Sequence, residues 1–263
     1  MRPFFYIRKK MNIKELIRRI LYYVSVPKCV YCKEKLDYED RGLCKKCMVE
    51  YKRHKQRNCP HCAAILSECS CTYDSLKAHG IKKFLKLFRY SKAESSMPSN
   101  YLIYSLKQDN RADVLSFLSE ELATAINHSF DIKHSEFVIT NVPRRKSAIV
   151  NFGYDHSKEL ALAVACILNI EYVEILKSKS KKAQKSVHAD DRKKNAKFDY
   201  KCDEDFTLKG KSVILVDDII TTGASMTNCA TLIRGLRPKR IIGATLGTAY
   251  KESYIDFKNI KKK

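Results

Sequence analysis

The residues best suited to chemistry lie in the stretch VILVDDIITTGAS, residues 213–225. An apolar run typical of a buried strand leads directly into two adjacent carboxylates, Asp217 and Asp218. Two acids at the end of a strand can bind a metal, act as acid and base, or accept hydrogen bonds from a diol. Like charges this close repel each other, so their surroundings must offset the repulsion.

The loop behind the acids favours a phosphorylated diol. It leads into a predicted helix and consists of Thr221, Thr222, Gly223, Ala224 and Ser225. Glycine lets backbone N–H groups turn inward, hydroxyls add hydrogen-bond donors, and the helix N-terminus contributes partial positive charge. A phosphate site beside two diol-binding acids predicts a ribose 5-phosphate ligand.

A nucleotide-binding P-loop is the alternative interpretation of a strand that ends in acid. The segment DFTLKGKS, residues 205–212, ends like such a loop. However, Asp205 stands where the first glycine is required, and the segment precedes its strand instead of following one. We therefore reject a P-loop.

Eight of the eleven cysteines lie between residues 29 and 71 in four close pairs. They are Cys29, Cys32, Cys44, Cys47, Cys59, Cys62, Cys69 and Cys71. Closely spaced thiols can present both sulfurs to one tetrahedral ion, and four pairs make two closed sites. This predicts two structural zinc ions, with sequential pairing as the simplest arrangement and interleaved pairing still open. The segment has little apolar periodicity, so we expect metal rather than an apolar core to hold it.

Composition bounds the class of protein. The chain has 263 residues, 44% of them hydrophobic, with no apolar run long enough to span a membrane. The N-terminus has no clean signal-peptide core, so we expect a cytoplasmic protein, starting at Met1 or Met11. The net charge of +22 indicates an anionic partner, although a lysine-rich genome is the alternative.

Alternating strands and helices predict a parallel α/β sheet, in which ligands bind beyond the carboxyl ends of strands. The predicted strands lie near residues 87–90, 136–143, 171–176, 211–217 and 240–246. The predicted helices cover residues 13–24, 99–107, 112–128, 155–168 and 224–236. Residues 177–205, rich in Lys and Arg, are predicted as a long loop. The predicted domains are an amphipathic helix (1–27), a double zinc ribbon (28–75) and the α/β domain (76–263).

The stretch at 213–225 resembles the signature with which type I phosphoribosyltransferases bind phosphoribosyl pyrophosphate (PRPP). With the double zinc ribbon, the whole chain resembles the ComF family, which is linked to DNA uptake in natural competence. Residues 142–161 resemble that family's pyrophosphate loop. Residues 183–198, with Gln184, Arg192, Asn195 and Phe198, resemble its basic flexible loop.

The resemblance implies a role for each matching residue. Asp217 and Asp218 would hold the ribose hydroxyls, flanked by Val216 and Ile219. The loop from Thr221 to Ser225 would hold the 5-phosphate. The pyrophosphate would lie by Pro143, Arg144 and Arg145, with Mg²⁺ bridging it to the ribose. The reaction would be displacement at C1, with lysines of the basic loop closing over the leaving group.

Two departures from the family pattern leave two functions open. Gly153-Tyr154-Asp155 stands where the family has Gly-Phe-Asn, and lysines replace arginine in the basic loop: Lys177, Lys179, Lys181 and Lys182. Lysine offers a point charge in place of a bidentate fork, so PRPP binding should survive better than turnover. The chain is then either a phosphoribosyltransferase with an unidentified acceptor or a non-catalytic competence factor. Single-stranded DNA and competence helicase or recombination proteins are the expected partners.

Overall fold

The computed structural model describes residues 27–59, 62–69, 71–90, 97–145, 147, 149–150, 153–179 and 198–249. The predicted helix over residues 13–24 lies outside the described residues, as do residues 180–197 of the predicted basic loop. Within the described ranges, no helix is both long enough and apolar enough to cross a membrane.

A five-stranded parallel sheet forms the centre of the fold. Its strands are β1 (Ile81–Arg89), β2 (Phe137–Asn141), β3 (Glu171–Tyr172), β6 (Ser212–Ile220) and β7 (Arg240–Thr248). They lie in the order β1, β7, β6, β2, β3, and every pair is parallel. Two short strands, β4 (Leu176–Ser178) and β5 (Phe198–Tyr200), form a separate antiparallel pair. The predicted class, a parallel α/β sheet, is confirmed.

Helices cover both faces of this sheet. They are α1 (Lys45–Lys55), α2 (Asp74–Ala78), α3 (Pro98–Gln108), α4 (Ala112–Ser129), α5 (His156–Leu168) and α6 (Ala224–Gly235), with a 3-10 turn at His134–Glu136. Strand β6 shows why two layers are needed, because successive side chains point to opposite faces. Ile214 and Val216 pack in the core with α4 and α5, whereas Val213 and Leu215 pack with α6.

The first half of the cysteine segment shares the large core of the α/β domain. Leu43 and Tyr51 are fully buried in the same apolar cluster as Phe88 and Phe117. The Tyr51 ring meets Phe117 edge to face at 5.4 Å between centroids. The second half has only a small cluster of its own, centred on Leu66. Apolar packing therefore contributes to the first half of this segment, contrary to the expectation that metal alone would hold it.

Several elements differ from the sequence prediction. Strand β1 begins at Ile81 rather than near residue 87, and the short helix α2 was not predicted. Residues 171–176, predicted as one strand, form β3 and the start of β4, separated by residues 173–175. Strand β5 lies inside the predicted loop, and helix α1 was not predicted because only Cys47 and Tyr51 of it are buried. Strand β6 continues past Asp217 to Ile220, because its pairing with β7 extends to Thr248. The two acids therefore lie within the strand, close to its end.

Candidate functional site

A cleft of about 210 Å³ opens at the carboxyl ends of β2 and β6. It is lined by Val142, Pro143, Arg144, Arg145, Ser178, Phe198, Asp217, Asp218, Ile219 and Ser225. Parallel sheets bind ligands at this edge, beyond the ends of their strands. The structure thus brings together the predicted arginines, the predicted acids and the first turn of α6.

The other predicted site residues lie beside or beneath the cleft. Val216 is fully buried in the core, so it supports the acids without lining the cleft. Thr221 and Thr222 are exposed in the loop that connects β6 to α6, and Ala224 is exposed as the first residue of α6. Gly223 is buried there and forms the N-cap of α6.

Asp218 is enclosed and paired with two cations. The residue is 4% exposed, and its Oδ2 pairs with Arg144 and lies 3.1 Å from Lys107 Nζ at the end of α3. The backbone N–H of Ile219 donates to Oδ1 at 2.6 Å. Burial alone would raise the pKa of Asp218, but the charges of Lys107 and Arg144 hold it below its ordinary value. Asp218 is therefore the ionised member of the pair.

Asp217 has a different environment from its neighbour. Its Oδ1 accepts hydrogen bonds from the Ser157 hydroxyl at 2.9 Å and from the N–H of Asp218 at 2.9 Å. Burial and the adjacent charge of Asp218 raise the pKa of Asp217 to about 8. At neutral pH Asp217 is mostly protonated, so the pair carries little more than a single negative charge.

Asp155 fixes the loop that carries Arg144. It caps α5, because its Oδ1 accepts from the N–H of Lys158 at 3.1 Å. Its Oδ2 accepts from the N–H of Arg144 at 3.0 Å. One carboxylate therefore connects the start of α5 to the arginine that pairs with Asp218. The family has asparagine at this position, and its side chain offers a single acceptor oxygen where Asp155 offers two. The second oxygen of Asp155 therefore accepts a bond that asparagine could not accept in the same way.

Two residues beside Asp155 position Lys107. The Tyr154 hydroxyl donates to the carbonyl oxygen of Leu106, and His156 Nε2 donates to that of Lys107 at 2.8 Å. The Tyr154 and His156 rings contact each other with centroids 4.3 Å apart. These bonds hold the end of α3 against the start of α5, which places the Lys107 ammonium beside Asp218.

The loop at the start of α6 has the geometry of an anion site. Gly223 has φ +76°, a conformation that side chains other than glycine rarely adopt. The loop lies at the N-terminus of a helix of 12 residues, whose first N–H groups have no partner within the helix. Thr222 and Ser225 are exposed and add hydroxyl groups. The phosphate cradle stays a prediction, and the left-handed glycine at the helix start is compatible with it.

Both predicted cysteine sites are assembled with sequential pairing. In each group, Cys29/Cys32/Cys44/Cys47 and Cys59/Cys62/Cys69/Cys71, the sulfur atoms lie within 4.8 Å of one another. Individual sulfur separations are 3.7 Å for Cys32–Cys44 and 3.5 Å for Cys62–Cys69. A tetrahedral ion with bonds of about 2.3 Å places its sulfurs roughly 3.8 Å apart, so both groups fit zinc. The interleaved alternative is excluded.

Backbone hydrogen bonds already favour the ionised form of one ligand. Burial opposes ionisation of Cys29, but N–H groups of Cys44, Cys32 and Tyr31 lower its pKa to about 7, whereas burial raises the pKa of Cys32 and Cys47 in the same group. N–H groups that turn toward a sulfur are what a thiolate needs in order to serve as a metal ligand.

The sequence analysis missed Lys107 and Ser157, which contact the two acids. Lys107 lies near the end of α3, and no sequence spacing relates it to Asp218 on β6, which is distant along the chain. The available signal was indirect: a buried carboxylate needs a cation, and Lys107 is the basic residue in the last turn of a largely buried helix.

The comparisons with known proteins agree with this geometry. Residues 152–262 match the family described as the phosphoribosyl transferase domain. Competence protein ComFC of Streptococcus pneumoniae is 25% identical over 202 residues, which cover 74% of this chain and 82% of that protein. DNA utilization protein YhgH of Escherichia coli is 23% identical over 211 residues, covering 78% and 89%. Ribose-phosphate pyrophosphokinase of Thermococcus kodakarensis is 36% identical over 90 residues, covering 34% and 27%.

The matched segment contains the two acids and the loop of the cleft, whereas Lys107, Arg144 and the cysteine groups precede it. Asp217, Asp218 and the loop up to Ser225 all lie inside residues 152–262, and so does Asp155. The comparisons therefore confirm the resemblance of the chain to the ComF family, and residues 152–262 match the phosphoribosyl transferase domain.

Proposed function

We propose that the cleft binds PRPP together with Mg²⁺ and that the protein acts in DNA uptake or utilisation. One observation carries the proposal: two acids on β6, two arginines after β2 and the N-terminus of α6 line a single cleft. Each of these groups suits one part of PRPP, whose phosphates are anionic and whose ribose is a diol.

The ligand would lie across the edge of the sheet. The ribose hydroxyls would face Asp217 and Asp218, and the 5-phosphate would contact the loop from Thr221 to Ser225. Arg144 and Arg145 would face the pyrophosphate, with Pro143 fixing the backbone of their loop. Phe198 lines the same cleft and would limit the access of water.

The two acids differ in what they offer to Mg²⁺. Both oxygens of Asp218 are engaged by Arg144, Lys107 and the N–H of Ile219. Asp217 keeps its Oδ2 without a hydrogen-bond donor among the described residues, so Asp217 is the fitting carboxylate ligand. Mg²⁺ binds carboxylate and phosphate oxygens together with water, and it would neutralise the pyrophosphate charge.

Displacement at C1 of the ribose needs positioned charge rather than a protein nucleophile. Arg144 would stabilise the charge that develops on the departing pyrophosphate, and the acids would orient the ribose. The acceptor is unidentified, so the activity test is the release of pyrophosphate when PRPP is incubated with candidate bases.

Calorimetry with PRPP and Mg²⁺ tests the binding site. The variant Asp217→Asn/Asp218→Asn should lose binding, because its cleft no longer offers carboxylate acceptors. Asp131→Asn is the matched control, since Asp131 is exposed and precedes β2 at the opposite edge of the sheet. Equal affinity of the double variant and the wild type would refute the role given to the acids.

Single-stranded DNA is a second ligand that the charge favours. The net charge is +22, and residues 177–201 hold ten of the Lys and Arg residues. The affinity should fall with salt, and each lost phosphate contact reduces the logarithmic slope by about 0.7. Replacing Lys179, Lys181 and Lys182 by Gln should thus reduce the slope by about 2.

The matched control for the DNA experiment replaces three exposed lysines at the amino ends of strands: Lys133, Lys209 and Lys239. These lie on the edge opposite the cleft, so the slope should stay unchanged. If the salt slope of DNA affinity is equal for wild type and loop variant, or if no DNA binds at about 100 mM salt, the positive charge reflects composition alone and not DNA binding.

We propose further that each cysteine group holds one structural zinc ion. The four thiolates of each group close the tetrahedral coordination, so no position stays open for catalysis. Elemental analysis of the purified chain should find two zinc ions per molecule, and a chain without bound metal would contradict this assignment.

A further inference from the structure

Lys86, in the middle of β1, is a buried lysine that forms no ion pair with an acid among the described residues. It is 1% exposed and belongs to the largest fully buried side chains of the described chain. Lys82 and Lys83 on the same strand are exposed, so burial is specific to Lys86. An ammonium group removed from water is strongly destabilising unless an opposite charge or several hydrogen bonds compensate for it.

Its hydrogen bonds point to the second cysteine group. Lys86 Nζ donates to the carbonyl oxygen of Cys71 at 2.7 Å and to that of Cys69 at 3.3 Å. It also lies 5.4 Å from the centroid of the Phe84 ring. The ion pairs among the described residues give Lys86 no carboxylate. The hydrogen-bond acceptors of the ammonium in the described part of the chain are neutral carbonyls, so they do not balance its charge.

The cysteine group can supply the missing charge. The sulfurs of Cys59, Cys62, Cys69 and Cys71 lie within 4.8 Å of one another, and two of these residues accept the Lys86 bonds through their carbonyls. Four thiolates around one divalent ion retain two net negative charges. Cys59 and Cys69 are themselves 1% exposed, whereas Cys62 is exposed and Cys71 is partly exposed, so the buried half of this negative charge is as poorly hydrated as the ammonium.

We infer that Lys86 is the buried counter-charge of the second zinc site and connects that site to the edge strand of the sheet. The inference rests on the proposed binding of zinc. Lys86 acts as a positioning residue: its bonds orient the backbone of two ligands, and its charge stabilises their thiolates. Around the first site the comparable cation is Lys33, which is exposed and donates to the carbonyl of Val30 at 3.0 Å.

The test compares zinc affinities of the full chain by competition with a coloured chelator. Lys86→Met keeps the apolar length and removes the charge and the donors, and it should weaken one of the two sites about 10- to 100-fold. Lys86→Arg keeps the charge and should stay within about threefold of wild type, while Lys86→Gln, with a neutral donor, should fall between. Lys82→Met makes the same change at an exposed position of β1 and should leave both sites unaltered.

The weakened site is identified in a second background. Cys62→Ser removes an exposed ligand of the second group, and Lys86→Met should then have no further effect on the remaining, tight site. If Lys86→Met does not fold, Lys86→Gln carries the same comparison against Lys86→Arg.

Three results would overturn the inference. If the zinc affinities of both cysteine groups in Lys86→Met stay within about twofold of wild type, the charge of Lys86 does not affect zinc binding. If both sites bind zinc more weakly by the same factor, Lys86→Met acts on the packing of the chain in general and not on the second site. A wild-type chain that holds no zinc would instead refute the metal assignment itself. The zinc content of the wild type is therefore measured before any variant is made.

Discussion

At the scale of single residues, the adjacent acids avoid mutual repulsion by differing in protonation. Lys107 and Arg144 keep Asp218 ionised, while burial beside that charge raises the pKa of Asp217 to about 8. Removing the proton from Asp217 therefore costs free energy. A cation bound with the pyrophosphate would lower that cost, so ligand binding and deprotonation of Asp217 should be linked.

The first prediction concerns the pH dependence of stability. The pKa of Asp217 is about 8 in the folded chain and about 3.9 in an unfolded chain, so the folded state binds this proton more tightly. Its contribution to stability is fully present below the unfolded pKa and is lost as the pH rises through about 8. Thermal unfolding between pH 6 and 9 should show the wild type losing stability relative to Asp217→Asn as the pH rises.

Asp131→Asn, an exposed change of the same kind, controls for buffer effects in this series. A difference between wild type and Asp217→Asn that stays constant from pH 6 to 9 would contradict the raised pKa of Asp217.

The second prediction concerns Lys107, which the sequence did not reveal. Lys107→Met removes one of the two cations that pair with Asp218, so we expect a loss of about 1–3 kcal/mol in the free energy of unfolding. In the background Asp218→Asn, the same change should cost less than about 0.5 kcal/mol, because the buried charge is gone. Urea unfolding of the four proteins gives the coupling energy.

An equal cost of Lys107→Met in both backgrounds would show that Lys107 stabilises α3 without acting on Asp218. Lys133→Met, at an exposed position near β2, controls for the substitution itself.

At the scale of elements, the sequence predicted those with strong periodicity. Helix α4 was predicted over 112–128 and spans Ala112–Ser129, because its apolar residues recur at helical spacing. The break between β3 and β4 and the strand β5 were not predicted, since strands of two or three residues leave no periodic signal. Their boundaries depend on tertiary contacts.

The same limit applies to the site. Asp217, Asp218 and the glycine loop are contiguous in sequence, so their chemistry could be inferred from type and order. Lys107 and Ser157 reach the acids from other elements through the packing of α3 and α5, which no local pattern encodes. The zinc ligands form an intermediate case: their spacing predicted two sites, and the fold decided how the pairs combine.

The third prediction concerns the turn that begins α6. Gly223→Ala forces a side chain into φ +76°, which costs about 1–2 kcal/mol. The added Cβ would lie 3.5 Å from Leu76 Cδ2, an ordinary contact, so backbone strain rather than a clash causes the loss. Gly223→Asn should cost less than Gly223→Ala, because asparagine tolerates this conformation better. Denaturant unfolding checks the order, and equal stability of the three proteins would show that the turn relaxes.

At the scale of the whole molecule, the two proposed zinc sites have unequal connections to the core. Cys29 and Cys47 lie in the large apolar cluster that also contains residues of β1, α3 and α4. Polar contacts add to it: Arg41 pairs with Glu120, and Asp113 accepts from the N–H of Gly42 at 2.9 Å. The second group has its own small cluster and the bonds of Lys86. The predicted boundary between residues 75 and 76 stays a prediction, although the first site already packs as part of the α/β core.

The fourth prediction follows from this asymmetry. Cys32→Ser and Cys62→Ser are a matched pair, because each replaces one exposed sulfur of a four-cysteine group. Loss of the first metal should loosen the packing of Leu43 and Tyr51 against Phe117, whereas loss of the second should disturb mainly the small cluster. We expect Cys32→Ser to be the more destabilising by on the order of 2 kcal/mol, which is about 4–8 °C in Tm for a chain of this size.

Thermal unfolding followed by circular dichroism measures both variants. Equal losses in the two would mean that the ribbon acts as one unit, and a separate early transition in Cys32→Ser would mean that the first site folds independently of the sheet.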